Sequence, residues 1–137
     1  PVICSDYRIA GPRATFGLAE VRVGVGMPAG LMEIIRSMLS PNDLRRILQN
    51  GAAIPVDAAI QAGIVDELVQ AGDALGQALK VARDYIQIPP KAYATIKYQN
   101  RQHVIEALKA EIAKSGASGP VPWFTAETAS AMAKMVG

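Results

Sequence analysis

The chain has few of the residues that build disulfide frameworks and metal centres. It contains one cysteine, Cys4, and one histidine, His103, among 137 residues. An intrachain disulfide needs two cysteines, and a metal site built from cysteine or histidine is not expected. A single cysteine favours a reducing compartment, so we expect a cytoplasmic protein. We also expect Cys4 to be a small core residue and His103 to be solvated.

Charge of one sign, aromatic side chains and long apolar runs are also scarce. The formal net charge is +2, the basic residues are scattered, and aromatic residues make up 5% of the chain. This composition argues against a nucleic-acid partner. No apolar run approaches the roughly 20 residues that cross a bilayer, so no membrane partner is expected. Half of the residues are apolar and 19% are charged, which predicts an ordinary globular fold.

The β-prone segments lie early in the chain. Residues 2–10 are mostly apolar and end at a Gly-Pro turn, residues 14–18 predict a second strand, and residues 20–23 predict a third strand or the lip of a loop. The chain starts with neither a methionine nor a basic leader, so we expect it to be incomplete and to begin inside an element. These strands are too few to make a stable sheet by themselves, so we expect their partners in sequence that is absent here.

Helices are predicted for most of the remaining sequence. Apolar spacing predicts a helix from residue 29 or 30 to 39, and Ser40 and Pro41 begin another that stops at Asn50-Gly51. A short helix ends at Gly63, and residues 64–69 predict a last strand. Asp73 is the expected cap of a helix whose predicted buried stripe is Leu75, Ala78, Leu79, Ala82 and Ile86.

Two helices are predicted after the break at residues 89–90. The first runs from about 91 to 114, and a flexible link follows over 115–120. Its expected buried positions are Tyr93, Ile96, Ile105, Leu108 and Ile112. Thr125 can cap the last helix, whose predicted apolar side carries Ala129, Met132 and Val136. The pair Trp123-Phe124 is either core or a subunit contact.

Glu20 is the main candidate for chemistry. Its neighbours Phe16, Leu18, Val21 and Val23 are apolar, and a carboxylate enclosed in this way can serve as a general acid or base. Arg22 would point to the opposite face of a continuing strand and would not pair with it. The alternative is a surface glutamate at a strand end. Asp66 and Glu67 are expected to form a surface pair or a loop cap.

The loop after Glu20 is rich in glycine. Its spacing, with three residues between Gly26 and Gly30, does not fit the dinucleotide-binding fingerprint, and Pro28 lacks a backbone N–H. We favour a backbone that bends around a ligand or a buried acid. A tight connection between two elements is the alternative.

Three segments resemble motifs of the enoyl-CoA hydratase/isomerase family of the crotonase superfamily. Residues 4–10 resemble its C-D-x-x-x-A strand, and residues 14–24 resemble its A-x-F-x-x-P-E-x-x-x-G segment. Residues 54–69 resemble its A-x-E-A-x-x-x-G-L-V-D-x-V segment, with Ile64 in place of Leu. The resemblance implies an α/β fold, the C-terminal half of a ClpP/crotonase-like ββα spiral over residues 1–70. A helical trimerisation region would follow over residues 71–137.

The resemblance also implies a function. Family members act on acyl-CoA thioesters, and backbone N–H groups of an oxyanion hole stabilise the enolate. Glu20 matches the second of two catalytic glutamates and would be the general acid/base. Gly24, Gly26, Met27 and Pro28 would form a pocket loop, and Lys134 is a candidate CoA contact in a neighbouring subunit, with a solvated lysine as the alternative. CoA enters as part of the substrate, and no separate cofactor is expected.

Some residues depart from the family pattern. Ala19 replaces the usual proline, the loop is one residue longer before Pro28, and the G-G-T-x-R run is missing. By the resemblance, the first catalytic glutamate and both oxyanion-hole segments would precede Pro1. We therefore expect the missing N-terminal half as a partner, together with a homotrimer or a dimer of trimers. The alternatives are another crotonase-family reaction, such as thioester hydrolysis, isomerisation alone or C–C cleavage, and an inactive acyl-CoA-binding or assembly subunit.

Overall fold

The computed structural model describes residues 2–118 and 124–136. Helices account for most of these residues. The α-helices are α1 (Ala29–Met38), α2 (Pro41–Asn50), α3 (Val56–Gln61), α4 (Ala74–Tyr85), α5 (Pro90–Ser118) and α6 (Ala126–Val136). The strands are β1 (Ile9–Ala10), β2 (Thr15–Phe16), β3 (Ile54–Pro55) and β4 (Glu67–Leu68), and two 3₁₀ helices span Val2–Cys4 and Glu20–Val23.

The strands form two small sheets that join the start of the chain to its middle. β1 pairs in parallel with β4, which places Ile9 beside Glu67. β2 pairs antiparallel with β3, which places Phe16 beside Ile54. The strands are shorter than predicted, and Val2–Cys4 form a 3₁₀ helix instead of a strand. Two-stranded sheets are marginally stable by themselves, so both depend on the helices that pack against them.

The prediction for α2 is confirmed at both ends. Ser40 Oγ accepts a hydrogen bond from the Asp43 amide at 3.2 Å, and Pro41 occupies the first turn. Gly51 ends the helix at φ +63°, and its N–H donates to the Ile47 carbonyl. A side chain at Gly51 would meet Val21 Cγ1 at 2.6 Å. The glycine therefore serves both the helix end and the close approach of the Glu20–Val23 segment.

The core is small and lies between the sheets and the first three α-helices. Its buried side chains come from β1, α2, α3 and the turn after α3, and Phe16 and Leu18 pack against it. The cluster consists of Ala10, Ile47, Val56, Ala59, Ile64 and Val65. Ile35 of α1 is also fully buried. Cys4, predicted to be a core residue, is exposed because the 3₁₀ helix lies at the surface.

The predicted buried stripe of α4 is wrong. Leu75 and Ile86 are 72% and 74% exposed, and Leu79 is also exposed. The half-buried side of α4 carries Gln77 and Tyr85 instead, because these residues reach partners on β4 and the β1 segment. Asp73 is at the N-cap, as predicted, but its side chain makes no cap hydrogen bond. The apolar stripe is uncovered within the described part of the chain.

Helix α5 shows the same pattern. Tyr93, Ile105 and Leu108 are half-buried as predicted, but Ile96 and Ile112 are exposed. Lys97 and Arg101 occupy inward positions, because Asp6 accepts hydrogen bonds from both. The helix continues past Lys114 to Ser118, so the predicted link is wrong for residues 115–118. Residues 119–120 lie outside the described ranges.

Helix α6 begins where predicted but buries a different side. Thr125 Oγ1 accepts from the Thr128 amide at 3.2 Å, which confirms the cap. The fully buried residue is Thr128, whereas Ala129 and Met132 are exposed. Phe124 is exposed, and Trp123 and the side chain of Val136 lie outside the described set. Polar contacts at Thr128 therefore decide which face of α6 turns inward.

Candidate functional site

Glu20 begins a 3₁₀ helix and does not lie in a strand. The helix ends at Gly24, which has φ +67°, and the Gly24 N–H donates to the Glu20 carbonyl. The Val25 N–H donates to the same carbonyl at 2.9 Å. Of the two predictions for residues 20–23, the strand is wrong and the lip of a loop fits better, because the chain closes into a turn immediately after Glu20. The alternation that would separate Glu20 from Arg22 does not apply to such a turn.

The Glu20 carboxyl group is partly withdrawn from water. The side chain is half-buried. Its Oε2 is buried and has no hydrogen-bond partner among the residues that the structure describes. A buried acceptor without a partner costs roughly 1–3 kcal/mol. This position therefore retains an acceptor that a proton, a water molecule or a ligand atom can use.

Arg22 fixes one side of the Glu20–Val23 helix. Its Nε donates to the Asn50 carbonyl at 2.8 Å, and its Nη2 donates to Asn50 Oδ1 at 2.6 Å. Asn50 is the last residue of α2, where the negative end of the helix dipole also favours a cation. Arg22 thus holds the Glu20 segment against α2.

Helix α6 fixes the other side of this segment. Thr128 Oγ1 donates to the Gly24 carbonyl at 3.0 Å. A Cβ added at Gly24 would lie 3.1 Å from the Thr128 backbone nitrogen. Gly24 therefore allows both a positive φ and close contact with α6. Sequence patterns did not single out Thr128, because a buried threonine at a helix start carries no periodic signal.

The predicted pocket loop connects the Glu20 helix to α1. Gly24 and Met27 are half-buried, whereas Gly26 and Pro28 are exposed. Pro28 is the N-cap of α1, and its carbonyl accepts from Met32. The structure thus brings Gly24 close to Glu20 and leaves the tip of the loop at the surface.

Lys134 is exposed in the last turn of α6. It lies six residues beyond Thr128, about 9 Å farther along the helix axis at 1.5 Å per residue. Its assignment as a CoA contact remains a prediction.

An apolar cavity of about 380 Å³ lies beside the Glu20 segment. This volume falls within the range of ligand pockets. Its walls come from the first 3₁₀ helix, β2 and the residues after it, α1, and single residues of α2 and the turn after α3. The lining residues are Val2, Ile3, Cys4, Arg8, Thr15, Phe16, Gly17, Leu18, Leu31, Ile35, Met38, Leu39, Ile47 and Ile64.

Neither Glu20 nor the loop residues 24–28 line this cavity. The lining residue Leu18 precedes Glu20 by two positions, and Leu31 follows Pro28 by three. Cavity-lining residues therefore flank the candidate site on both sides in the sequence, although the Glu20 side chain does not line the cavity.

Arg8 is the charged residue of the cavity lining. Its Nε donates to Asp66 Oδ2 at 3.0 Å, its backbone N–H donates to the same oxygen at 2.8 Å, and the Asp66 amide donates back to the Arg8 carbonyl. Arg8 Nη1 is buried without a hydrogen-bond partner in the described ranges. Asp66 thus forms an ion pair that joins the residues just before β1 and β4, and Glu67 accepts hydrogen bonds from Tyr7 and Gln77 instead. Arg8 lies in the first motif segment (residues 4–10) and Asp66 in the third (residues 54–69). Pairing of these two segments in the sequence analysis could have indicated their contact.

The described part of the chain contains neither a cluster of metal-ligating side chains nor a membrane-spanning helix. No group of three His, Cys, Asp or Glu side chains there could hold a metal ion. None of the helices of residues 2–118 and 124–136 combines the length and apolarity needed to traverse a bilayer.

The sequence matches the family model for enoyl-CoA hydratase/isomerase over residues 2–117. Human mitochondrial enoyl-CoA delta isomerase 1 is 31% identical over 99 residues, which cover 71% of this chain and 33% of the human protein. Crotonyl-CoA hydratase from Syntrophomonas wolfei is 30% identical over 80 residues, which cover 58% of this chain and 31% of that protein.

Solved structures agree with this match. An enoyl-CoA hydratase/isomerase family protein from Pseudomonas syringae superposes with a TM-score of 0.78 at 28% identity, covering 83% of this chain and 50% of that chain. Human mitochondrial delta3-delta2-enoyl-CoA isomerase gives a TM-score of 0.75 at 22% identity, covering 98% of this chain and 53% of that chain. These matches confirm the predicted fold class. The chain spans about a third of the curated relatives and about half of the solved structures.

Proposed function

Because the chain belongs to the enoyl-CoA hydratase/isomerase family of the crotonase superfamily, we propose that the protein is an enzyme of this type. Its substrate is an acyl-CoA thioester, and Glu20 is its general acid/base. The observation that carries the proposal is the half-buried Glu20 carboxyl group, whose buried Oε2 accepts no hydrogen bond from any described residue. This glutamate is also the one that occupies the acidic position of the A-x-F-x-x-P-E motif.

The proposed chemistry is a proton transfer between the Glu20 carboxyl group and the carbon chain of a bound thioester. Loss or gain of a proton at Cα passes through an enolate, which backbone N–H donors of an oxyanion hole stabilise. In hydration, the first glutamate takes a proton from water, the hydroxyl adds at Cβ to give the enolate, and Glu20 delivers its proton to Cα. In isomerisation, one proton leaves the carbon chain and another returns. A positioned carboxyl group contributes roughly 10²–10⁴-fold to the rate of such transfers.

The surroundings of Glu20 suit this role. Arg22 and Thr128 hold its 3₁₀ helix from two sides, and such rigid support keeps an acid in its reactive geometry. The apolar cavity next to the segment offers an environment for the acyl chain. Gly24, Gly26, Met27 and Pro28 form the loop that borders the acyl end of the substrate in this proposal.

The proposal includes partners outside the chain. The oxyanion-hole donors and the first glutamate come from an N-terminal half of the same protein, and further copies complete a homotrimer or a dimer of trimers. The exposed apolar residues Leu75, Ile86, Ile96 and Ile112 support such contacts. Lys134 would contact CoA bound to a neighbouring copy. No metal or redox cofactor is part of the proposal, and the expected compartment is the cytoplasm.

A second candidate is an inactive acyl-CoA-binding or assembly subunit. Ala19 in place of proline and the missing G-G-T-x-R run favour it, because both changes fall beside the proposed acid. Other crotonase-family reactions, such as thioester hydrolysis, would keep the same oxyanion chemistry and differ in what happens at the acyl group.

Turnover of crotonyl-CoA by full-length protein separates these candidates. Glu20→Gln should lower kcat by at least about 100-fold, the smaller effect expected for a lost general acid/base, and should leave KM nearly unchanged. Glu106→Gln, an exposed glutamate on α5, is the matched control and should behave as wild type. Unchanged kcat in Glu20→Gln would remove Glu20 from the mechanism. A wild type that binds crotonyl-CoA without turnover would favour the binding subunit.

A further inference from the structure

Asp6 collects three donors from one face of α5. Tyr93 Oη donates to Asp6 Oδ2 at 2.7 Å, Arg101 Nη2 donates to Oδ1 at 2.8 Å, and Lys97 Nζ donates to Oδ2. The donors are spaced by four residues, which places them on the same side of the helix. Arg101 Nη1 also donates to the Cys4 carbonyl at 3.2 Å. We call Asp6, Tyr93, Lys97 and Arg101 the Asp6 hub.

The hub is stable in its charged form. The hydrogen bond from Lys97 holds the pKa of Asp6 below its usual value. The hydrogen bond to Asp6 raises the pKa of Tyr93, so its hydroxyl keeps its proton. The Lys97 ammonium group also lies 5.7 Å from the centre of the Tyr93 ring. The Asp6 carboxylate and the Tyr93 hydroxyl therefore keep these protonation states near neutral pH.

Helix α5 passes from the hub to α1. The two helices pack along each other, and a Cβ added at Gly30 would lie 3.0 Å from Leu108 Cδ2. Leu31, Ile35 and Met38 of α1 line the apolar cavity. Because α1 and α5 pack along each other, a displacement of α5 would change the position of one wall of the cavity.

The hub also holds a second wall. Val2, Ile3 and Cys4 line the cavity and lie two to four residues before Asp6, and Arg101 reaches the Cys4 carbonyl. The same helix thus touches the 3₁₀ helix that forms one wall and the α-helix that forms another.

We propose that Asp6 is a positioning residue that sets the width of the apolar cavity, and with it the acyl-chain length that the protein accepts. It acts through α5 by fixing the first 3₁₀ helix relative to α1. The chemical identity of the ligand as an acyl chain rests on the proposed function. The positioning of the cavity walls does not.

The test is the acyl-length profile of full-length protein. The variants are Asp6→Asn, which keeps the shape of the side chain and removes its charge, and the matched control Asp57→Asn, an exposed aspartate in the first turn of α3. kcat/KM is measured with enoyl-CoA thioesters of four to ten acyl carbons. Asp6→Asn should change the ratio of long-chain to short-chain kcat/KM by about fivefold or more, somewhat less than the roughly 10–200-fold effect of one methylene in a pocket. Asp57→Asn should leave the ratio as in wild type.

A residue that only stabilised the fold would lower melting temperature and activity without changing this ratio. An Asp6→Asn ratio within twofold of wild type would therefore overturn the proposal. If Asp6→Asn does not fold, Tyr93→Phe decides, because it removes one hub hydrogen bond and keeps the ring. It should shift the ratio in the same way by at least twofold, and an unchanged ratio would overturn the proposal.

A wild type inactive on every thioester would defeat the proposed function alone. Binding of the apolar fluorophore N-phenyl-1-naphthylamine then tests the hub. Met38→Trp fills the cavity, and only the fluorescence that this substitution removes is counted as binding in the cavity. A Kd changed at least about fivefold by Asp6→Asn, again the size of a small pocket change, and unchanged by Asp57→Asn would support the role of Asp6. Equal Kd values for wild type and Asp6→Asn would overturn it.

Discussion

Replacing Gly24 with alanine tests how the Glu20 segment is held. Gly24 has φ +67°, a conformation that costs an L-residue about 1–2 kcal/mol. The new Cβ would also meet backbone atoms of α6, with Thr128 N at 3.1 Å and Glu127 C at 3.2 Å. Helix α6 must therefore shift, which weakens the 3.0 Å hydrogen bond from Thr128 to the Gly24 carbonyl.

Three costs add in Gly24→Ala. Besides the cost of the positive φ, loss of the Thr128 hydrogen bond costs about 0.5–1.5 kcal/mol, and overpacking adds about 1 kcal/mol or more. Gly24→Ala should therefore lower the free energy of unfolding by about 2.5–4.5 kcal/mol in total. Urea denaturation of full-length protein, followed by circular dichroism, measures this quantity.

Two other glycines provide matched controls. Gly63 has φ +71° and Gly26 does not have a positive φ, and neither would meet a heavy atom within 4 Å. Gly63→Ala should show the conformational cost alone, about 1–2 kcal/mol. Gly26→Ala should change stability by less than about 1 kcal/mol, or raise it. If Gly24→Ala cost no more than Gly63→Ala, close packing of α6 on the Glu20 segment would be refuted.

Two further predictions concern ion pairs. Asp66→Asn should destabilise the protein by about 2–3 kcal/mol in the same assay, because Arg8, with 12% of its side chain exposed, loses its charged partner. Glu33→Gln, which removes the exposed pair with Arg36, should cost less than about 0.5 kcal/mol, and equal costs would contradict the importance of burial. The pKa of Asp6 is lowered from 3.8 in the folded protein, so its stabilisation is complete well above pH 3.8 and is lost as the pH falls through the lower folded value. The difference in melting temperature between wild type and Asp6→Asn should therefore be constant near neutral pH and shrink below pH 3.8, and a difference that grows in acid would contradict this sign.

Local signals in the sequence were sufficient for several helices. Ser40, Pro41 and Gly51 mark the ends of α2 by chemistry that acts within a few residues, and the structure follows them. Thr125 likewise caps α6. Such signals need no knowledge of the rest of the fold.

Burial was predicted less well, because it depends on contacts that are distant in sequence. Leu75 and Ile96 repeat at helical spacing and are nonetheless exposed. Lys97 and Arg101 turn inward because Asp6, about 90 positions earlier in the sequence, accepts their hydrogen bonds. Periodicity alone cannot reveal a polar partner of this kind.

The candidate site was predicted in part. The apolar neighbours of Glu20 correctly indicated a carboxyl group withdrawn from water. The 3₁₀ helix that begins at Glu20 was not predicted, because the alternating apolar residues around it are typical of a strand. The supports of the segment, Asn50 and Thr128, lie 30 and 108 residues from Glu20 and carry no local signal. The family motif, by contrast, singled out Glu20 without any of these contacts.

Proton exchange at Cα tests the assignment of Glu20 most directly. Butyryl-CoA is incubated in D₂O with full-length wild type or Glu20→Gln, and deuterium at Cα is followed by NMR. We predict that wild type exchanges the Cα protons and that Glu20→Gln binds butyryl-CoA equally well but exchanges at least about 100-fold more slowly, as expected for a lost general base. Exchange by Glu20→Gln at the wild-type rate would contradict the role of Glu20 as the acid/base.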